Sequence, residues 1–491
     1  MWAVSACGSG SKHGNGDAAV DAVAVADAST AKAITSFAFR AADNPTLEAD
    51  VTATISGTTI TVTMPFADLT ALKATFVTTG ASVAVGGTTQ LSGMTANDFT
   101  GPVMYTVTAA DGSTAAYDVL ASSGLAARTD MPTAMYPSVV ATGDFNGDGA
   151  PDLAIAAGSD QVFLDTTPSA AMTPSFGTTS FGPGAVSLSI ADFNRDGKPD
   201  VVFSLPTALS VFLDTTTNGA AAPTFSSSLD VLAMHHEGSV ATGDVDGDGS
   251  PDLATAIQCD NGPACTDGVS VLLNTTPRGA TTPSFGSNTD IAATAAFGYV
   301  AYVDLADINA DGKADIVYTN ARTKIVTVFL STTTTGAASA TFASGIDFAA
   351  GVSTAVEDVN GDGKLDLVVG NGSANTVSVM LGTTDTGATT PTFGAKTDFA
   401  AGMGPSGIAL GDFDGDGKPD VAVADYTGNT VAVLLNQTPP GATTPVFAAR
   451  REFTTGVGPA YIAVADFNGD GKLDVAVTDL TAHSLSILLQ Q

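Results

Sequence analysis

Seven short segments carry the residues best suited to chemistry. Each follows the pattern D-x-[DN]-x-D-G-x-x-D, and they begin at Asp144, Asp192, Asp244, Asp307, Asp358, Asp412 and Asp466. Oxygen side chains fall at positions 1, 3, 5 and 9, Gly at position 6 permits a sharp turn, and the carbonyl of position 7 adds a main-chain oxygen. The candidate ligands are Asp144, Asn146, Asp148, Ala150 and Asp152 in the first loop and Asp192, Asn194, Asp196, Lys198 and Asp200 in the second. The third offers Asp244, Asp246, Asp248, Ser250 and Asp252, and the fourth Asp307, Asn309, Asp311, Lys313 and Asp315. The fifth has Asp358, Asn360, Asp362, Lys364 and Asp366; the sixth Asp412, Asp414, Asp416, Lys418 and Asp420; the seventh Asp466, Asn468, Asp470, Lys472 and Asp474.

Several carboxylates with an amide and a carbonyl suit calcium, a hard ion that takes six to eight oxygens, better than the strict octahedron of magnesium. Transition metals favour His or Cys, which the loops lack. About seven calcium ions are expected. An EF-hand needs a bidentate Glu at position 12, where Ile155, Phe203, Thr255, Tyr318, Val369, Val423 and Val477 stand instead. The loop should therefore join two strands. The alternative is an Asp-rich turn that caps a hairpin through side-chain to main-chain hydrogen bonds and holds no ion. Asp246 and Asp414 add a carboxylate at position 3, so their loops should bind tightest. Arg195 and Ala310 replace Gly at position 4, which leaves the second and fourth loops the least favoured.

The elements that position these loops follow from composition. The chain has 491 residues, 50 acidic against 17 basic, a net charge of -33 and 44% hydrophobic residues. It can bury a core, and 23 of its acids stand in the seven loops. So few bases disfavour nucleic acid and anionic membrane as partners. No run reaches the roughly 18 apolar residues of a membrane span. Fifty-three Gly and abundant Thr, Val and Ala point to an all-β protein of short strands.

The loops recur every 48 to 63 residues, and each is followed by two apolar runs such as Val421-Ala422-Val423-Ala424 and Val431-Ala432-Val433-Leu434-Leu435. A four-stranded propeller blade requires that rhythm. Ala127-Arg128-Thr129-Asp130-Met131 matches the internal segments Ala395-Lys396-Thr397-Asp398-Phe399 and Ala449-Arg450-Arg451-Glu452-Phe453, while the last repeat stops one strand short. A strand from about 126–131 is expected to complete the last blade and remove exposed edges. Residues 123–491 should thus form a seven-bladed β-propeller.

Two segments precede it. Residues 33–122 alternate in period two, as in Thr59-Ile60-Thr61-Val62-Thr63-Met64, and end in a hairpin turning at Asp111-Gly112. Residues 1–32 read as a leader and flexible, disordered tether, rich in Gly, Ser, Ala and Asp.

Three resemblances add expectations. The repeats are similar to the FG-GAP/VCBS family, which includes the integrin α-subunit head, on the seven loops, on Phe176-Gly177, Phe181-Gly182, Phe285-Gly286 and Phe393-Gly394, and on Gly404-Pro405 and Gly458-Pro459. Residues 33–122 resemble immunoglobulin-like or cadherin-like β-sandwich spacers of bacterial surface proteins. Val4-Ser5-Ala6-Cys7 resembles a lipobox, with Cys7 the lipidated residue, which implies export as a surface or outer-membrane lipoprotein or a secreted protein. In an exported protein Cys259 and Cys265 read as a loop-closing disulfide, with two free thiols as the alternative.

The propeller resemblance implies calcium hairpins on one face and ligands on the other. Tyr136, His235, His236, Glu237 and Tyr299 are the candidates there. The leading function is a monomeric, calcium-stiffened binding or adhesion module with an extracellular protein or glycan partner. The alternative is an enzyme, or an accessory subunit, acting on extracellular polysaccharide. Adjacent His residues point apart in most backbones and no nucleophile accompanies them, so catalysis is not expected.

Overall fold

The structure is a computed structural model. It describes residues 30–490 apart from 46, 48, 65, 68, 183, 207, 233–237, 258–267, 293–300 and 350. Among the described residues there are strands and no helix. The chain divides into two compact units, Met1–Ser122 and Ser123–Gln491.

The first unit has two sheets, the smaller antiparallel throughout and the larger built of antiparallel hairpins. Four strands run in the order Val51–Thr52, Ile34–Phe39, Leu72–Thr78, Ala96–Asn97, and six in the order Thr54–Ser56, Thr59–Met64, Thr114–Ser123, Val103–Thr108, Ser82–Val85, Thr88–Thr89. Alternation decides which side chains turn inward: Ile60, Val62 and Met64 are buried while Thr61 and Thr63 are exposed. Both sheets feed one core with Phe37, Phe39, Phe76, Phe99 and Tyr105 at its centre. Their rings meet edge to face or offset, with centroids 4.9 to 6.4 Å apart. The hairpin at Asp111-Gly112 closes with Gly112 at φ 85° and pairs Thr108 with Thr114.

The second unit contains seven four-stranded antiparallel sheets, none closed on itself. Six are built from consecutive strands; the first takes Val139–Gly143, Asp152–Ala156, Gln161–Asp165 and Phe176–Ser180. The seventh takes Pro459–Ala465, Asp474–Asp479 and Ser484–Leu488, and its fourth strand is Thr129–Pro132, from the other end of the unit. Thr129 pairs with Ile487 and Pro132 with Ser484, so the outer edge of Ser484–Leu488 is covered.

First strands of successive sheets lie side by side, and the first strand of the seventh lies beside that of the first. The second strands are buried on both faces because each sheet is packed between two others. That is why they read as continuous apolar runs. The cores sit between sheets. Val368, Val377 and Val379 of the fifth pack with Val421, Val423 and Ala432 of the sixth. Leu153, Ile155 and Phe163 of the first pack likewise with Phe467, Ala476 and Ile487 in the seventh.

Candidate metal loops and the opposite edge of the sheets

Each aspartate loop joins the first strand of a sheet to its second. Position 2 anchors it: Phe145, Phe193, Val245, Ile308, Val359, Phe413 and Phe467 are all buried. Positions 4 and 6 then curl the chain through the left-handed region, as Gly147 at φ 63° and Gly149 at φ 90° show. Arg195 and Ala310 adopt the same conformation at φ 54° and 51° without Gly's freedom. The second and fourth loops therefore keep the shared shape at a cost in backbone strain.

Carboxylates close the curl. The position 1 aspartate accepts the N–H groups of positions 5 and 6 in every loop, at 3.1 and 2.9 Å for Asp144. The position 5 aspartate accepts the N–H of position 7. These bonds leave lone pairs on each carboxylate, which has about four acceptor sites.

Position 9 has a second role that the sequence pattern did not reveal. Asp152, Asp200, Asp252, Asp315, Asp366, Asp420 and Asp474 are all buried. One oxygen accepts the N–H of position 2 at 2.8 to 2.9 Å. The other accepts the N–H at the end of the third strand, at Asp165, Asp214, Asn274, Ser331, Gly382, Asn436 or Gln490, at 2.6 to 2.7 Å. Burial, reinforced by nearby loop carboxylates, pushes Asp152 up to about 7 and Asp420 to about 8, against the pull of those main-chain bonds. One residue thus ties together the loop and the first three strands.

Position 3 reaches the neighbouring sheet. Its carbonyl accepts an N–H from the hairpin joining the third and fourth strands of the next sheet: Gly219 to Asn146, Gly279 to Asn194, Gly387 to Asn309, Gly441 to Asn360. The amides of Asn194, Asn309 and Asn360 donate back to Ala280, Ala388 and Ala442. Asn468 of the seventh sheet makes the same exchange with Ala170 and Ala171 of the first. At Asp246 the carboxylate itself accepts the N–H of Gly336 at 2.8 Å.

In two loops three carboxylates converge. Asp244, Asp246 and Asp252, and likewise Asp412, Asp414 and Asp420, each offer an oxygen within 4.8 Å of the others. Position 5 lies outside both groups and faces the position 7 amide. Lys418 pairs with Asp416 at 2.5 Å. Around Asp244, Asp246, Asp248 and Asp252 no ion pair forms among the described residues. An all-oxygen set of converging carboxylates without a basic partner fits a hard divalent cation.

The other edge of the sheets carries the approaches to the first strands and the turns between second and third strands. Tyr136 is there and exposed. His235, His236, Glu237 and Tyr299, the Cys259 to Cys265 disulfide, the lipidation residue Cys7 and residues 1–29 of the tether lie outside the described residues. The structure adds buried carboxylates at this edge: Asp160, Asp425 and Asp479. Asp160 accepts Ala157 N–H of its own sheet and Gly184 and Ala185 N–H of the next. Burial raises Asp425 to about 7 and Asp479 to about 6.

Residues 144–203, 358–423 and 412–477 match the FG-GAP-like repeat family, and residues 34–121 match the SGBP N-terminal domain. No curated protein matches. Among solved structures the chain is similar to an Agrocybe aegerita lectin that recognises non-reducing terminal N-acetylglucosamine, at 16% identity and TM-score 0.44 over 72% of this chain and 86% of the lectin. It is also similar to a Bacillus licheniformis rhamnogalacturonan lyase, at 12% identity and TM-score 0.39 over 90% of this chain and 89% of the lyase. The chain is an all-β protein with FG-GAP-like repeats behind an SGBP N-terminal domain.

Proposed function

We propose that the protein is a calcium-stiffened, glycan-binding protein of the cell surface: a seven-bladed β-propeller, carried behind a spacer domain, that offers the loops of the edge opposite its aspartate loops to an extracellular polysaccharide. The glycan reading rests on the match of residues 34–121 to SGBP, a glycan-binding family. The propeller reading is supported by seven four-stranded sheets whose first strands neighbour one another from the first to the seventh and back to the first. The calcium reading is supported by the converging carboxylates. Asp244, Asp246, Asp248, the Ser250 carbonyl and Asp252 would hold one ion, with equivalent sets in the other loops. A bound ion neutralises carboxylates that otherwise repel one another and fixes the loop that positions 3 and 9 tie to the sheets. We read the protein as a monomeric binder rather than an enzyme, and its export and lipid anchoring through Cys7 as part of the same proposal.

Affinity electrophoresis through gels containing soluble polysaccharides, run with 2 mM calcium and with chelator, tests this reading. Calcium-dependent retardation by at least one polysaccharide is expected. Migration unaltered by every polysaccharide would refute the glycan half.

A further inference from the structure

At the edge opposite the aspartate loops, successive sheets are joined by a repeated contact. The turn between second and third strands ends in a residue of left-handed conformation, Asn375, Asn429 or His483, at φ 55° to 57°. Its side chain accepts an N–H from the approach to the next sheet: Gly404 to Asn375 Oδ1 and Gly458 to Asn429 Oδ1, both at 2.9 Å, and Tyr136 to His483 Nδ1 at 3.1 Å. The approaches align as Met403-Gly404-Pro405, Val457-Gly458-Pro459 and Met135-Tyr136-Pro137. Where two of them have Gly at φ 74°, the third has Tyr at φ 57°.

A bulky residue in that region is a backbone outlier, and such outliers concentrate where a site needs them. A Cβ on Gly404 or Gly458 would meet the hydroxyl of Thr427 or Thr481 at 2.6 Å, whereas in the first sheet the N–H that meets the equivalent carbonyl, that of Met135, belongs to Gly158, which has no side chain. Room has been made for the ring. Tyr136 is 63% exposed, and His483 meets it edge to face with centroids 5.0 Å apart. Exposed Met135, Val457, Tyr426 and Met403 continue the ridge, with Tyr426 lying beside Gly458.

We propose that this seam, between the seventh and first sheets, is a carbohydrate-binding platform on which a pyranose ring of a polysaccharide stacks against Tyr136. A rigid aromatic face flanked by a few polar groups suits a sugar, whose ring has an apolar face and a hydroxylated rim. Two χ angles and a backbone fixed by His483 leave little freedom to lose on binding. This assigns a site to the glycan-binding reading and rests on it.

Tyr136→Gly separates binding from folding, because it installs the residue that the sixth and seventh sheets already carry. Full-length wild type and variant are run in gels containing xyloglucan, arabinan, galactan, rhamnogalacturonan, mixed-linkage β-glucan, β-mannan, starch or dextran, and their melting midpoints are compared. The expected result is an equal or higher midpoint with retardation by the recognised polysaccharide weakened tenfold or more. Weakening below tenfold, or a lowered midpoint, overturns the platform while leaving the glycan reading intact. Wild type retarded by none of the polysaccharides overturns both.

Discussion

In the N-terminal unit the buried centre is aromatic, with Phe37, Phe39, Phe99 and Tyr105 in mutual contact, and the buried polar side chains described there are the uncharged amides of Asn44 and Gln90. Each of the seven sheets instead buries an aspartate with both oxygens accepting main-chain N–H groups, and the first, sixth and seventh bury a further one at the opposite end of the strands. Apolar burial scales with area and is indifferent to ions. A buried carboxylate depends on what neutralises or hydrogen-bonds it. The two units should therefore answer differently to calcium, to truncation and to pH.

Calcium removal should separate them most. A ligand that binds only the folded state adds RT ln(1 + [L]/Kd), about 1.4 kcal/mol per site at ten times Kd, so seven sites would contribute roughly 10 kcal/mol. Differential scanning calorimetry with excess chelator should lower the transition of the repeat unit steeply and leave that of the N-terminal unit in place. If both transitions stay fixed, the contrast collapses. Next in size is truncation. Asp366→Ala strips two buried N–H groups of their acceptor and should cost roughly 3–5 kcal/mol, confined to the repeat unit. Phe37→Ala should cost about as much through the cavity it leaves, confined to the N-terminal unit. Urea titrations followed unit by unit would show any crossing of these effects.

The pH response comes third. Burial raises Asp425 to about 7 and Asp479 to about 6. A carboxyl raised above its unfolded value supports the fold fully below about pH 4 and loses that support as pH climbs through the folded value. The equivalent positions of the fourth and fifth sheets hold Asn320 and Asn371, which carry no charge. Asp425→Asn and Asp479→Asn should therefore match wild type near pH 4 and exceed it by roughly 1–3 kcal/mol near pH 8. A stability difference that is constant with pH contradicts this. The smallest effect is local: Ala310→Gly relieves a left-handed alanine and should stabilise by about 1 kcal/mol in chemical denaturation, with no change in the N-terminal unit.

Much of this was legible because it is periodic. The seven loops announce themselves by side-chain spacing, and the alternation of Thr59–Met64 marks its strand and its inward face. What escaped the sequence involves main-chain partners, which leave no residue signature. The second acceptor role of position 9 points at whatever residue ends the third strand, as different as Asp165, Gly382 and Gln490. The position 3 link runs to the main chain of the next sheet's hairpin, 79 residues on from Asn309 and 82 from Asn360. Tyr136 was visible as a candidate but its strain was not. Aligning Met135-Tyr136-Pro137 with Met403-Gly404-Pro405 supplies the signal, a bulky residue where siblings carry Gly.

The central claim is that the aspartate loops hold calcium and so stiffen the edge from which the sheets hang. Isothermal titration calorimetry of the metal-free protein with calcium chloride in low-salt buffer tests it directly. The account predicts saturable binding below about 1 mM, with up to seven ions per chain and the strongest binding lost in Asp246→Asn. Absence of saturable heat up to 5 mM calcium, with the metal-free protein folded, would contradict it.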